Sequence, residues 1–185
     1  MSKPVTVSKL TPEGIKFFEA VQQFQKKPYV KAGVLKLDAK QPKVLDEEGN
    51  QSATVHLIDV AIANEFGTKH IPERSYLRAT IRKQSGKWAD MGKKLIVRCF
   101  HGEISTEDAL GIMGLQIVKD VQATMRGNVP PPNAPSTIRR KTATIQGKKA
   151  RLHADIRGAF GEGTLRDTGQ LLNSMSSQVI MGDGK

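Results

Sequence analysis

Phe17, Phe18, Val21 and Phe24 recur at helical spacing behind Thr11-Pro12-Glu13. That run opens as a helix should. It has a hydroxyl to cap, a proline whose missing N–H matters least in the first turn, and a carboxylate near the positive end of the helix dipole. Lys26, Lys27 and Pro28 close the helix, and its phenylalanine stripe is expected in the core. The period then changes. Val30, Ala32 and Val34 alternate with Lys31 and Gly33, predicting a strand over 29–37, and a turn follows at Asp46–Asn50.

Helical spacing returns with Val55, Ile58, Ile62 and Phe66. Thr54 is placed to cap that helix and Gly67 to stop it. A long amphipathic helix is predicted from about Tyr76 to Phe100. Leu77, Ile81, Trp88, Leu95 and Cys99 form its apolar stripe, and Arg82, Lys83, Lys87, Lys94 and Arg98 lie off it. The next helix is the clearest. Ser105 caps it with Asp108 three residues on, Leu110, Met113, Ile117, Val121 and Met125 form the stripe, and Gly127 ends it. Gly111 and Gly114 give it a smooth patch that another backbone could approach closely.

From 128 to 163 the periodicity fades. Prolines cluster at Pro130, Pro131, Pro132 and Pro135, followed by Arg139, Arg140, Lys141, Lys148, Lys149, Arg151 and Arg157. A stretch this long without regular structure is uncommon inside a compact domain, and is functional or disordered where it occurs. A helical turn at "GQLLNS" and a strand over 176–181 complete the chain.

Composition narrows the function. The 185 residues carry 29 Lys+Arg against 18 Asp+Glu, a net charge of +11, spread along the chain rather than gathered in a tail. Cys99 is the single cysteine, so no intramolecular disulfide forms and synthesis in the cytosol is expected. No apolar h-region or membrane-spanning run is visible, which predicts a soluble protein or part of a soluble assembly.

Catalytic and metal signatures are sparse. His56, His70, His101 and His153 do not fall at zinc-ligand spacing, and Cys99-x-His101 lacks a second pair. No Walker sequence, dinucleotide fingerprint or nucleophile elbow is present, and "GAFGEG" has its glycines at the wrong spacing for a phosphate cradle. Asp167-Thr168-Gly169 has the composition of an aspartic-protease loop, but lacks apolar strands around it. Asp167 as a cap over the following turn accounts for it better.

The stretch "NEFGTKHIPERSYLR" concentrates polar residues. Glu65 and Glu73 could form an acid–base pair, but a structural reading is stronger. Glu65 falls in a helix's last turn, where a carboxylate opposes the dipole, so it needs a specific partner. Arg74 or Arg78 could supply it in bidentate form. Gly67 ends one helix, Pro72 fixes the turn, and Tyr76 and Leu77 return to the core. The stretch is thus expected to be a rigid corner.

Together, "IANEFGTKHIPERSYLR" and "STIRRKTATIQGKK…LRDTGQLLNSM" resemble the neck and tail-completion proteins of long-tailed bacteriophages, also described as phage virion morphogenesis proteins. The matching positions are Glu65, Phe66, Gly67, Thr68, Ile71, Pro72, Arg74, Leu77 and Arg78, then Ser136, Thr137, Lys141, Leu165, Asp167, Thr168, Gly169, Leu172 and Ser174. Tyr76 stands where phenylalanine is usual, adding a hydroxyl that needs a partner. The likeness covers about residues 30 to 181.

The resemblance implies an α+β fold, a small twisted, mostly antiparallel sheet packed on amphipathic helices, within a single domain over 1–185. It implies a homo-oligomeric ring, sixfold, that joins the tail to the capsid connector and contacts connector, stopper and tail-tube proteins. It implies no catalysis, cofactor, metal or membrane, and a place in the virion neck after assembly in the host cytoplasm. Genomic DNA would pass without specific contacts. The basic 128–163 segment, with Arg139, Arg140, Lys141, Lys148, Lys149 and Arg151, is then expected to be an inter-subunit arm that orders on assembly. The alternative reading is a nucleic-acid-binding module acting through 129–185. Its one aromatic between the prolines and Gly163, Phe160, is little for base stacking.

Overall fold

A computed structural model describes residues 11–35, 56–135, 165 and 169–182. The expected turn at Asp46–Asn50, the Thr54 cap, the basic segment from Ser136 onward, Asp167 and Thr168 lie outside the described residues. The elements are α1 (Pro12–Gln25), β1 (Tyr29–Val34), α2 (Leu57–Phe66), α3 (Tyr76–Phe100), α4 (Thr106–Arg126), α5 (Gln170–Asn173) and β2 (Met175–Ile180). The fold is α+β, with β1 and β2 paired in a two-stranded antiparallel sheet. The chain divides into two compact units, each assembled from separate segments.

The first unit holds residues 1–32, 84–117 and 177–185. Thr11 caps α1 as its sequence predicts, its hydroxyl accepting from the Gly14 N–H at 3.2 Å. Ser105 likewise accepts from the Asp108 N–H at 3.0 Å, and its hydroxyl meets the Asp108 carboxylate at 2.7 Å. The core gathers Leu95, Cys99 and Ala109, with Phe24, Met91, Ile104 and Met113 packed around them. Gly114 makes room for side chains rather than for a backbone: a Cβ there would come within 2.8 Å of the Ser177 and Val30 side chains. Gly111, by contrast, faces open space.

The phenylalanine stripe of α1 departs from expectation. Phe17 and Phe18 are 49% and 42% exposed. Ala20 is the helix's only buried residue. Phe100 is the reason: the Phe17 and Phe24 rings pack on it at 5.0 and 5.7 Å between centroids, which leaves Phe18 on another side of the helix.

The second unit holds residues 33–83 and 118–176. Here the buried face of α2 is Leu57, Ala61 and Glu65 rather than the expected Ile58, Ile62 and Phe66. Those residues lie one position round the helix, and Ile62 and Phe66 are 52% and 61% exposed. The first turns of α3 show the same offset. Tyr76 and Thr80 are fully buried, whereas Leu77 is half-buried and Ile81 exposed. Thr80 can face inward because its hydroxyl lies 2.7 Å from both the Tyr76 carbonyl and the Thr124 hydroxyl. α5 packs against α2, and the Leu172 carbonyl accepts from the Gln122 side chain at 3.0 Å.

Candidate functional site

The corner between α2 and α3 is built around one carboxylate. Glu65 projects inward from the last turn of α2 and is 3% exposed. It accepts from the Leu77 N–H at 2.8 Å, and from the Ser75 hydroxyl, the Arg78 N–H and Arg78 Nε at 3.0 Å each. Leu77 and Arg78 are in the first turn of α3, whose N–H groups have no partners within the helix. Glu65 is therefore an N-cap delivered from another helix, with its negative charge at the positive end of the α3 dipole. This also explains a carboxylate at the unfavourable end of α2: α3 sets its position.

Arg78 closes the arrangement. Its Nη2 donates to the Glu65 carbonyl at 2.7 Å and to Glu73 Oε1 at 2.8 Å. Its guanidinium stacks over the Phe66 ring, 4.8 Å from the centroid. Hydrogen bonding to Glu65 raises its pKa above the ordinary arginine value, outweighing desolvation. Of the two arginines expected to pair with Glu65, only Arg78 does so.

Arg74 has another role. It is buried, and donates through Nε to the Pro131 carbonyl at 2.9 Å and through Nη2 to the Pro132 carbonyl and Asn133 Oδ1 at 3.3 Å each. It thus pins the proline run that leads into the basic segment. No carboxylate pairs with it among the described residues, and burial lowers its pKa.

The turn itself depends on Gly67. Its φ is 75°, in the left-handed region, and a Cβ there would meet the Glu73 backbone nitrogen at 2.9 Å. The Thr68 hydroxyl accepts from the N–H groups of His70 and Ile71, and the Arg74 N–H donates to the Asn64 carbonyl at 2.7 Å. The closing motif is only partly described. Gly169 stands at the cap position of α5 with φ 73°, Leu171 and Leu172 are buried, and the Ser174 hydroxyl donates to the Leu171 carbonyl.

Tyr76 is fully buried, and its hydroxyl has no hydrogen-bond partner among the described residues. Burial, reinforced by the nearby Glu65 charge, pushes its pKa well above the ordinary phenol range. Outside this corner, two features invite chemistry. A cavity of about 700 Å³ in the first unit is lined by residues including Lys16, Glu19, Cys99, Thr106 and Met181. The Cys99 thiol beside it donates to the Ser105 carbonyl at 3.6 Å, and burial pushes its pKa up, away from thiolate reactivity. Among the described residues no group of three His, Cys, Asp or Glu side chains could hold a metal ion, and no helix is long and apolar enough to cross a membrane.

No family model matches the chain, and no match was found among curated proteins or solved structures.

Proposed function

We propose that this chain is a structural subunit of a phage head–tail connection, a tail-completion or terminator-type ring component that joins the tail to the capsid connector. The observation that carries the reading is the use of Glu65. Its carboxylate is spent on four donors that fasten two helices, so the most conspicuous acid of the corner serves as a scaffold joint rather than a proton carrier. Four of the residues that carry the likeness to neck proteins help build this corner: Glu65 and Arg78 pair, Gly67 makes the turn, and Arg74 holds the proline run. Exposed apolar side chains on several helices also suit a subunit that functions inside an assembly.

The test is sedimentation of the purified chain, alone and with connector and tail-tube proteins. A closed oligomer that binds those proteins is expected. A chain that stays monomeric in their presence, and whose DNA affinity falls steeply with salt, would instead establish the nucleic-acid-binding alternative.

A further inference from the structure

Four exposed positions of α4 fall on one stripe of that helix. Asp108, Ile112, Leu115 and Lys119 are spaced i, i+4, i+7 and i+11, which keeps them within about 60° of one another around the axis. This is the spacing of a coiled-coil seam. Ile112 is 41% exposed, and Leu115, at 69%, is the most exposed large apolar side chain among the described residues. Gly111 flanks the seam, where a Cβ would meet nothing within 4 Å.

The stripe is complementary to itself. It begins with an anion, ends with a cation and carries its two apolar residues between them. Neither Asp108 nor Lys119 has an ion-pair partner among the described residues, although Asp108 Oδ2 meets the Ser105 hydroxyl. The other charged residues of α4 do not disturb the pattern. Glu107 and the buried Asp120 lie about 100° round the helix, and Arg126 continues the stripe about 10 Å past Lys119. Two copies of α4 laid antiparallel about a two-fold axis between Met113 and Gly114 set Ile112 opposite the partner's Leu115 and Asp108 opposite the partner's Lys119. Each contact then occurs twice. A parallel alignment in register would instead set like charges against each other at both ends.

We infer that α4 of one copy of this chain pairs with α4 of a second copy in this antiparallel register, forming a two-fold dimer. The contact is isologous and uses up the face on both copies, so by itself it stops at two. Neighbours around a ring meet through heterologous contacts, so the pairing goes beyond the ring reading and does not depend on it. Four apolar side chains make a small seam, and the dimer is accordingly weak and concentration-dependent.

Charge-swapped variants in sedimentation velocity, over about a hundredfold range of concentration, test this. Lys119→Glu creates two like-charge pairs in its own dimer, and so does Asp108→Lys, whereas their equimolar mixture has two attractive pairs. The unaltered chain is expected to dimerise as concentration rises, each variant alone to bind itself at least about tenfold more weakly, and the mixture to dimerise again, less so in high salt. Asp108→Lys takes a favourable charge from the first turn of α4, so circular dichroism and a cooperative melt establish that each variant is folded. Leu115→Asp, at an exposed position away from the cap, should abolish the dimer as well, and keeps the test decisive should Asp108→Lys not fold. If the chain also closes rings, this contact joins two of them face to face, and the same substitutions halve the mass of the assembly. Four results would each overturn the inference: no self-pairing of the unaltered chain at any concentration, charge variants that pair as it does, a mixture of folded variants that recovers nothing, or a Leu115→Asp protein that still dimerises.

Discussion

Arg78 holds Glu65 in three ways: through its own N–H and its Nε to one carboxylate oxygen, and through Nη2 to the Glu65 carbonyl. An ion pair, a helix cap and a side chain-to-backbone bond thus coincide in one residue pair. The carboxylate is buried while the Arg78 side chain is 45% exposed, so the two contributions are unequal. Most of the value lies in satisfying the first-turn N–H groups of α3, which have no partner within the helix, and less in the charge pair as such.

Glu65→Ala leaves the Leu77 and Arg78 N–H groups without an acceptor. At ~1–3 kcal/mol for an unsatisfied buried group, a loss of about 3 kcal/mol is expected from urea unfolding. Glu65→Gln keeps one oxygen but turns an NH₂ toward donors, and should lose about 2 kcal/mol. Arg78→Ala should be milder than either. If Arg78→Ala proves the most damaging of the three, the ion pair rather than the cap is the principal contact.

Removing the Tyr76 hydroxyl should help. A buried hydroxyl with no partner among the described residues carries an uncompensated desolvation cost, so Tyr76→Phe is expected to stabilise by about 1 kcal/mol. The pH dependence supplies an independent check. The folded-state pKa is raised above the unfolded value of 10.0, so the stability linked to this group is fully present below pH 10 and is lost as pH rises beyond it. Tyr76→Phe should flatten that alkaline decline. Parallel curves for the two proteins from pH 9 upward would refute the assignment.

Much of this corner was legible in the sequence. Gly67 as a stop, a partnered Glu65 and the bounds of α3 all follow from local chemistry: a left-handed terminus, a carboxylate at the wrong end of a dipole, and a long amphipathic period. Which face of each helix is buried was less legible. Hydropathy favours Ile58, Ile62 and Phe66 inward, yet Glu65 must reach the start of α3 and so carries Leu57 and Ala61 inward with it. Tyr76 and Thr80 likewise displace Leu77 and Ile81 because Thr80 finds a partner in Thr124, a pairing far apart in sequence. Such cross-chain hydrogen bonds leave no periodic signal. The choice of Arg78 over Arg74 is of the same kind, since only the fold brings the proline run to Arg74.

Glycine substitutions separate positions that require glycine from those that tolerate it. At Gly67 an alanine meets both a left-handed backbone and the Glu73 nitrogen, so Gly67→Ala should cost about 2 kcal/mol or more. Gly86 lies inside α3, where an added methyl would have no neighbour within 4 Å, and Gly86→Ala should gain about 0.5–1 kcal/mol from reduced backbone freedom in the unfolded chain. Thermal melting of the two variants should therefore move in opposite directions.

The Arg74 clasp holds the proline run that precedes the basic segment. A buried guanidinium held by neutral acceptors is costly to strand, whereas the exposed Pro131 and Pro132 can turn their carbonyls to water. Arg74→Ala removes the three hydrogen bonds that hold the proline run and should cost about 1–2 kcal/mol. The same reasoning predicts two different outcomes for two excisions. Replacing 136–163 by a glycine–serine linker spares the clasp and should keep the melting temperature near that of the unaltered chain. Replacing 128–163 removes the acceptors and the buried Val129 with them, and should destabilise more than Arg74→Ala. Adding Arg74→Met to the longer excision should then recover part of the loss, because it eliminates a buried charge that no longer has acceptors. If the arm proposal is right, the shorter excision also folds yet fails to join tails to heads in an assembly assay. Normal joining by that protein would remove the arm's role while leaving the clasp intact.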